Sequence, residues 1–198
     1  MKGLWQRGLR RILLFVTDGL PGMEAAIQRV YPGAEWQRCV VHMVRSSLVQ
    51  VRARDRGAVA EHLRGVYRAE SRQEALEGLE GLERLRRTWG SRYPRLVSGW
   101  WEDSAALLRF YGYPKVLWPY LRGTNPMERF IREIRRSTKV RDHKFPTTEA
   151  VCKVLYLESE RQEGKWAERT LRGFAEAKEM LEQMAEGAVL PLYTDCYT

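Results

Sequence analysis

Residues 124–141 read TNPMERFIREIRRSTKVR and predict a helix with a glutamate in its first turn. Asn125 can cap such a helix, Pro126 suits its first position, and Glu128 falls where a carboxylate bonds back to the cap. Apolar residues recur at helical spacing and predict one buried face: Met127, Phe130, Ile131 and Ile134. The segment holds six Lys/Arg against two Glu, which gives it a net charge of +4. Glu128 therefore lies near the start of a helix that is otherwise basic.

The chain has 198 residues, 44% of them hydrophobic, which is enough for one domain or for one domain with a large insertion. No apolar run approaches the roughly 20 residues needed to span a bilayer, and no signal peptide is recognisable at the start. Three widely spaced cysteines argue against a disulfide framework. These features predict an intracellular protein without a membrane partner.

The charge points to an acidic macromolecule as partner. Lys and Arg number 34 against 25 Asp and Glu, which gives a net charge of +9. Only seven of the 34 cations are lysines, so most are guanidinium groups that suit phosphate. High-GC codon usage would produce the same arginine bias, and the composition alone does not separate the two explanations.

The first 43 residues predict two strands and a helix. Ile12–Val16 is a continuous apolar run closed by a turn, which favours a strand buried on both faces with Asp18 at its carboxyl end. Ligand sites collect at that end of strands in open α/β sheets. Pro21–Val30 predicts a short helix, and Trp36–Val41 predicts a second strand that finishes at His42.

From residue 43 to about residue 117 the apolar spacing is helical, with little strand signal. Within it, Leu96–Tyr111 predicts one helix that contains the pair Trp100-Trp101. After the glutamate helix, Lys139–Pro146 predicts a basic loop. Thr148–Glu163 and Trp166–Gly187 then predict two amphipathic helices.

Asp18, Glu128 and the pair Cys39 and His42 are the features that offer chemistry. Two carboxylates brought together repel each other unless a cation lies between them. If Asp18 and Glu128 meet in the fold, the pair therefore favours a binding site for Mg²⁺ or Mn²⁺. Such a site suits metal-assisted phosphoryl transfer.

Each feature also has a purely structural interpretation. Asp18 can be a turn residue, and Glu128 can be only the partner of the Asn125 cap. Cys39 and His42 have a spacing that zinc uses, but no second pair follows, and a cysteine in a strand more often packs in a core. The two tryptophans can be core anchors rather than platforms for base stacking.

The motifs together strongly resemble bacterial insertion-sequence transposases of the Mutator type, which are mobile-element enzymes. The resemblance rests on VTDG, YPGAEWQRCVVH, FYGYP and GTNPMERFIREIRRSTKVR, in that order, and it extends from about residue 3 to about residue 187. It implies the DDE class of DNA transposition and recombination enzymes. It also implies a partial ribonuclease H-like fold, α/β but predominantly helical, with a large all-α insertion.

The resemblance assigns roles to individual residues. Asp18 matches the second metal-binding aspartate and Glu128 matches the catalytic glutamate, both expected to bind Mg²⁺ or Mn²⁺ in the complete enzyme. Cys39 and His42 match a C-x-x-H element near the active site. Asn125 and Arg129 belong to the same motif as the glutamate. Five further cations are candidates for DNA phosphate contact: Arg132, Arg135, Arg136, Lys139 and Arg141.

The resemblance also divides the chain. Residues 1–43 are expected to be part of the ribonuclease H-like core, and residues 44–118 the all-helical insertion. Residues 119–187 are expected to be the C-terminal helices of that core, followed by a disordered tail over 188–198.

One departure limits the expected activity. Residues 1–17 contain no Asp or Glu, so the first aspartate of the family has no counterpart before Asp18. The sequence is therefore expected to be a C-terminal part of a transposase that does not cleave DNA by itself. The implied partners are DNA, at transposon ends and target, and a second copy or a full-length transposase. The implied location is the bacterial cytoplasm, at the nucleoid.

Two other functions stay open from the sequence. The chain could be a non-catalytic basic fragment that binds nucleic acid or regulates a transposase. It could also be a helical interaction module unrelated to DNA, which binding insensitive to salt would indicate.

Overall fold

The structure is a computed structural model that describes residues 2–68, 78–139, 145–168 and 171–187. Helices dominate it, and two short strands form one parallel sheet, which confirms the predicted α/β and predominantly helical character. Most of the predicted basic loop and all of the predicted tail lie outside the described residues. None of the described helices combines the length and the apolar character needed to cross a membrane.

The first unit is a strand, a helix and a second strand. Along the chain, helix α1 (Lys2–Gln6) is followed by strand β1 (Leu14–Thr17), helix α2 (Met23–Val30) and strand β2 (Glu35–Arg38). Strands β1 and β2 pair in parallel. Every side chain of β1 is only half-buried, so the prediction of a strand buried on both faces was wrong. The faces of a parallel strand are enclosed only where helices pack on both sides of the sheet, and the described helices leave every residue of β1 half-buried.

The second predicted strand was too long. Strand β2 ends at Arg38, and helix α3 (Val40–Val49) begins two residues later, so His42 lies on a helix and not at a strand end. The β-branched pair after Cys39 favours a strand locally, but the Val40 N–H donates to the Arg122 carbonyl at 2.9 Å instead of to a strand.

The middle of the chain is a helical module, here residues 40–68 and 78–117. Beyond α3 it contains α4 (Arg56–Tyr67), α5 (Gly78–Trp89), α6 (Pro94–Glu102) and α7 (Ser104–Leu107), together with short 3₁₀ turns at Ala53–Asp55, Arg109–Gly112 and Lys115–Leu117. The predicted helix Leu96–Tyr111 was wrong as a single element, because it is divided around Asp103.

A large apolar core holds this module together. Its fully buried side chains include Val59, Leu63, Leu85, Trp100 and Phe110. The Trp100 indole N–H donates to Ser47 Oγ at 2.8 Å, which satisfies the polar atom of this buried ring. Trp100 is therefore a core anchor, as its structural interpretation predicted, whereas Trp101 is 43% exposed.

The sheet is joined to the module through strand β2. Gln37 is fully buried there; its amide N–H donates to the Leu107 carbonyl at 2.7 Å, and its amide oxygen accepts the Phe110 N–H at 2.8 Å. The next residue, Arg38, forms an ion pair with Asp103. These contacts fix the end of β2, and with it the position of Cys39.

In the part of the chain that the structure describes, the module is followed by helices α8 (Trp118–Leu121), α9 (Asn125–Lys139), α10 (Thr148–Ala167) and α11 (Phe174–Gly187). The predicted glutamate helix is thus confirmed as α9. The predicted helix Trp166–Gly187 began too early, since Trp166 belongs to α10 and its ring packs 5.7 Å from that of Phe130. Gly173, with a φ of +85°, immediately precedes α11 and adopts a backbone conformation that favours glycine.

The apolar face of α9 is only partly covered. Phe130 and Ile134 are half-buried, but Met127 is 54% exposed and Ile131 is 42% exposed. The prediction of one buried face was therefore wrong for these two residues. Among the described elements α9 packs mainly against α10, which contacts only part of its apolar stripe.

Candidate functional site

Glu128 lies in the first turn of α9, as predicted. The helix begins at Asn125, and the Glu128 N–H donates to the Thr124 carbonyl at 2.9 Å, so Thr124 lies at the cap position and the prediction of Asn125 as the cap was wrong by one residue. Helix starts accommodate acidic side chains because their free N–H groups carry partial positive charge. The start of its own helix therefore explains the location of Glu128, whereas contacts with another helix orient its side chain.

The Glu128 carboxylate contacts helix α3. Its Oε1 lies 3.1 Å from His42 Nε2 and 3.2 Å from Arg45 Nη1. Both partners precede the glutamate by more than 80 positions, and the carboxylate remains 27% exposed. The side chain thus joins two helices, which goes beyond the purely local role of a cap partner.

The C-x-x-H spacing has a direct structural explanation. Cys39 is the N-cap residue of α3 and His42 is its third residue, positions whose side chains lie on the same side of a helix start. His42 Nδ1 lies 3.1 Å from Cys39 Sγ. The side chains of Cys39, His42 and Glu128 therefore lie in one continuous series of contacts.

The segment before α9 is also bound to α3. Gly123 is buried, and a Cβ there would lie 2.9 Å from Val41 Cγ2, so the absence of a side chain allows this close approach. Thr124 Oγ1 lies 3.8 Å from Cys39 Sγ, a weak contact of the kind that thiols make. The start of α9 is consequently positioned by the residues that form the C-x-x-H element.

Asp18 follows β1 directly, as predicted, and is exposed. The Thr17 carbonyl accepts the Cys39 N–H at 2.6 Å, so Asp18 and Cys39 lie at the same edge of the sheet. Gly19 has a φ of +78°, and the Arg38 side chain occupies the space that a Cβ would need there. Within the described residues no hydrogen bond or ion pair joins Asp18 to Glu128.

The donor set agrees only in part with a divalent metal site. Carboxylate oxygens are the ligands that Mg²⁺ prefers. Over residues 2–68, 78–139, 145–168 and 171–187, however, no three His, Cys, Asp or Glu side chains are grouped to hold a metal ion. Glu128 Oε1 is instead occupied by His42 and Arg45. These residues alone do not form a complete metal centre.

The basic candidates lie along α9. Arg129, Arg132, Arg135, Arg136 and Lys139 are all exposed, and Arg141 lies outside the described residues. Arg136 Nη1 lies 3.5 Å from Glu133 Oε1, whereas Arg132 and Arg135 form no ion pair with any acid that the structure describes.

Sequence reasoning missed Arg45. It follows His42 by three positions and would have been placed beside it had Val40–Val49 been predicted as a helix. Its contact with Glu128 links residues 83 positions apart, and no local pattern in a single sequence reports such a contact.

Comparison with known proteins identifies the lineage of this site. The model of the family described as "Transposase, Mutator family" matches residues 1–169, which include Asp18, Cys39, His42 and Glu128.

The chain belongs to the Mutator family of transposases.

The chain is also similar to transposases of named insertion sequence elements. The chain is 35% identical over 178 residues to the transposase for insertion sequence element ISRM3 of Rhizobium meliloti, covering 90% of the chain and 44% of that relative. It is 32% identical over 181 residues to the transposase for IS905 of Lactococcus lactis, covering 91% and 45%. The chain thus spans a little under half the length of these transposases.

Proposed function

We propose that this chain forms part of the catalytic region of a DNA transposase, built on a ribonuclease H-like core. The observation that carries the proposal is the position of Glu128, whose carboxylate is held by His42 and Arg45 next to the sheet edge that ends in Asp18. Membership of the Mutator family supports DNA transposition as the reaction to which the site contributes.

In this proposal Asp18 and Glu128 supply two carboxylates to a centre for Mg²⁺ or Mn²⁺ that needs at least one further ligand. The chemistry that a divalent ion would supply, if held there by Asp18 and Glu128 with a further ligand, is activation of the oxygen that attacks the DNA phosphorus. The neighbouring residues support these carboxylates: Cys39 and His42 orient Glu128, and Arg45 offsets its charge before DNA arrives. Asn125 and Arg129 belong to the start of the helix that presents it.

The basic face of α9 is proposed to contact the DNA backbone. Arg132 and Arg135 have guanidinium groups that no described acid neutralises, and guanidinium forks match phosphate geometry. Phosphate contacts position a protein on DNA without reading its sequence. The chain is therefore expected to bind DNA with an affinity that decreases steeply as salt increases.

The test is binding and cleavage by the purified chain, with a double-stranded oligonucleotide in Mg²⁺ or Mn²⁺. We expect salt-dependent binding without appreciable cleavage, because fewer than three metal ligands are grouped in the described residues. Metal-dependent cleavage that is lost in Asp18→Asn would show that the chain is active by itself. Binding insensitive to salt would contradict the proposal and indicate a helical interaction module instead.

A non-catalytic fragment that binds nucleic acid or regulates a transposase is the second candidate. The incomplete metal centre favours it. Alanine at Asp18 and Glu128 separates the two functions. If Mg²⁺ strengthens DNA binding and both substitutions remove this effect, the catalytic lineage is supported; metal-independent binding that neither substitution changes supports the regulatory function.

A further inference from the structure

Arg45 is exposed beside the candidate glutamate and is assigned no role by the motif that places Glu128 and His42. We infer that Arg45 is a DNA-phosphate ligand, the first of a line of guanidinium groups that continues along α9 as Arg132 and Arg135. The inference rests on the proposed function, since it requires that the chain bind DNA. It specifies where the DNA backbone passes the site.

The position of Arg45 suits this role. Its side chain is 61% exposed, and only Nη1 is engaged by Glu128, at 3.2 Å. A guanidinium has five N–H donors, so the remaining ones are available to a phosphate on the solvent side. The base of the side chain is held rigidly, because α3 is anchored through the buried residues Val40, Met43 and Ser47.

The line continues along α9 by helix geometry. Arg132 and Arg135 follow Glu128 by four and seven positions, so all three lie on one side of the helix. At a rise of about 1.5 Å per residue, the two arginines lie roughly 6 Å and 10 Å beyond the glutamate along the helix axis. Arg45 contacts Glu128 and therefore lies at the start of this line.

Arg136 lies differently on the same helix. It is turned about 100° around the helix axis from Arg135, and it pairs with Glu133 at 3.5 Å. The arginines of α9 are thus not equivalent. Arg132 and Arg135, which lie in line with Glu128, form no ion pair with a described acid. They can therefore bind a phosphate without first breaking an ion pair.

An acidic protein surface is the competing partner for a row of arginines. DNA is favoured because the chain belongs to a transposase family and because its net charge of +9 suits a polyanion. Competition separates the two: double-stranded DNA should displace a labelled oligonucleotide far better than polyglutamate of equal charge. Equal displacement by DNA and polyglutamate would contradict the proposal that this line of arginines binds DNA phosphates.

The direct test measures the affinity of the full chain for a labelled double-stranded oligonucleotide, without divalent metal, over a series of salt concentrations. Arg45→Gln should weaken binding about five- to tenfold near 0.1 M salt and reduce the slope of log K against log salt by about 0.9, as expected for one lost phosphate contact. Arg132→Gln should have a similar effect. Arg45→Lys keeps the charge and should retain most of the slope.

Arg64→Gln is the matched control. Arg64 is also exposed and also paired with a carboxylate, that of Glu61, but it lies on α4 within the helical module. Arg64→Gln should change the affinity for DNA less than twofold. Thermal melts should show that all variants stay folded. If Arg45→Gln behaves like Arg64→Gln while the parent chain binds DNA with a steep salt dependence, the inference fails alone. If the parent chain shows no salt-dependent binding, the proposed function fails with it.

Discussion

The helical module and the helices that follow it differ in how they are stabilised. The module, residues 40–68 and 78–117, encloses an apolar core with fully buried side chains such as Leu63, Trp100 and Phe110. Among the described residues of 125–187 the buried ones are Glu158, Gln162, Gly173 and Ala177, whereas Met127, Ile131, Tyr156, Leu157 and Met180 are more than 40% exposed.

The difference shows how the candidate glutamate is positioned. Helix α9 buries little apolar surface of its own, so contacts at its first turn, together with its packing against α10, set its place. These are the Glu128 contacts with α3 and the close approach of Gly123 to Val41. The well-packed module therefore acts as a support that presents His42 and Arg45 to a less enclosed helix. Elements with few buried apolar contacts open at lower free energy than a core.

Trp100→Ala should give the largest effect. Removing this fully buried ring from the module creates a cavity and should lower the free energy of unfolding by about 3–5 kcal/mol. Denaturant unfolding followed by circular dichroism measures the change. Trp101→Ala is the matched control, because that ring is 43% exposed and should cost about 1 kcal/mol or less. Equal losses from the two substitutions would remove the distinction between core and surface in the module.

A smaller loss of stability is expected when the pH is lowered, because Glu83 on the surface of the module then becomes protonated. The hydrogen bonds from Arg86 and Arg87 lower the pKa of Glu83 from its ordinary value to about 2. A depressed pKa contributes stability above the unfolded pKa, near 4.5, and this contribution is lost as pH falls from there toward 2.

Melting temperatures measured from pH 5 to pH 2 should therefore decrease more steeply for the parent chain than for Glu83→Gln. The difference between the two profiles should shrink toward pH 2, where Glu83 is protonated in unfolded chains and about half protonated in folded ones. Parallel profiles over the whole range would mean that the Glu83 ion pairs do not stabilise α5.

The smallest effect is predicted for the exposed residues of α9. Met127→Ser and Ile131→Ser should each change the free energy of unfolding by no more than about 0.5 kcal/mol, since surface substitutions rarely cost more. Leu63→Ala, in the module core, should cost about 2–5 kcal/mol in the same unfolding assay. A large loss from either serine would show that this face of α9 is covered in solution.

Local patterns predicted much of this architecture. The strand that ends before Asp18 and the helix that carries Glu128 follow from a bounded apolar run and from helix-start residues. The helical character of the module also follows from its apolar spacing. These features depend on neighbours in sequence, which a single chain displays directly.

The missed features depend on distant contacts. Val40 and Val41 favour a strand by their side chains, yet the Arg122 carbonyl captures the Val40 N–H and a helix begins. The exposure of Met127 and the pairing of Arg45 with Glu128 likewise depend on which elements meet in space. No periodicity in the sequence encodes them.

Hydrogen exchange of the full chain, with and without double-stranded DNA, tests the central claim most directly. We expect strong protection of the module core in both states, and weaker protection of residues 125–139 that increases when DNA binds. Equal protection of the two regions, or a DNA effect confined to the module, would contradict the claim that a supported but less enclosed α9 presents Glu128 and its basic side to DNA.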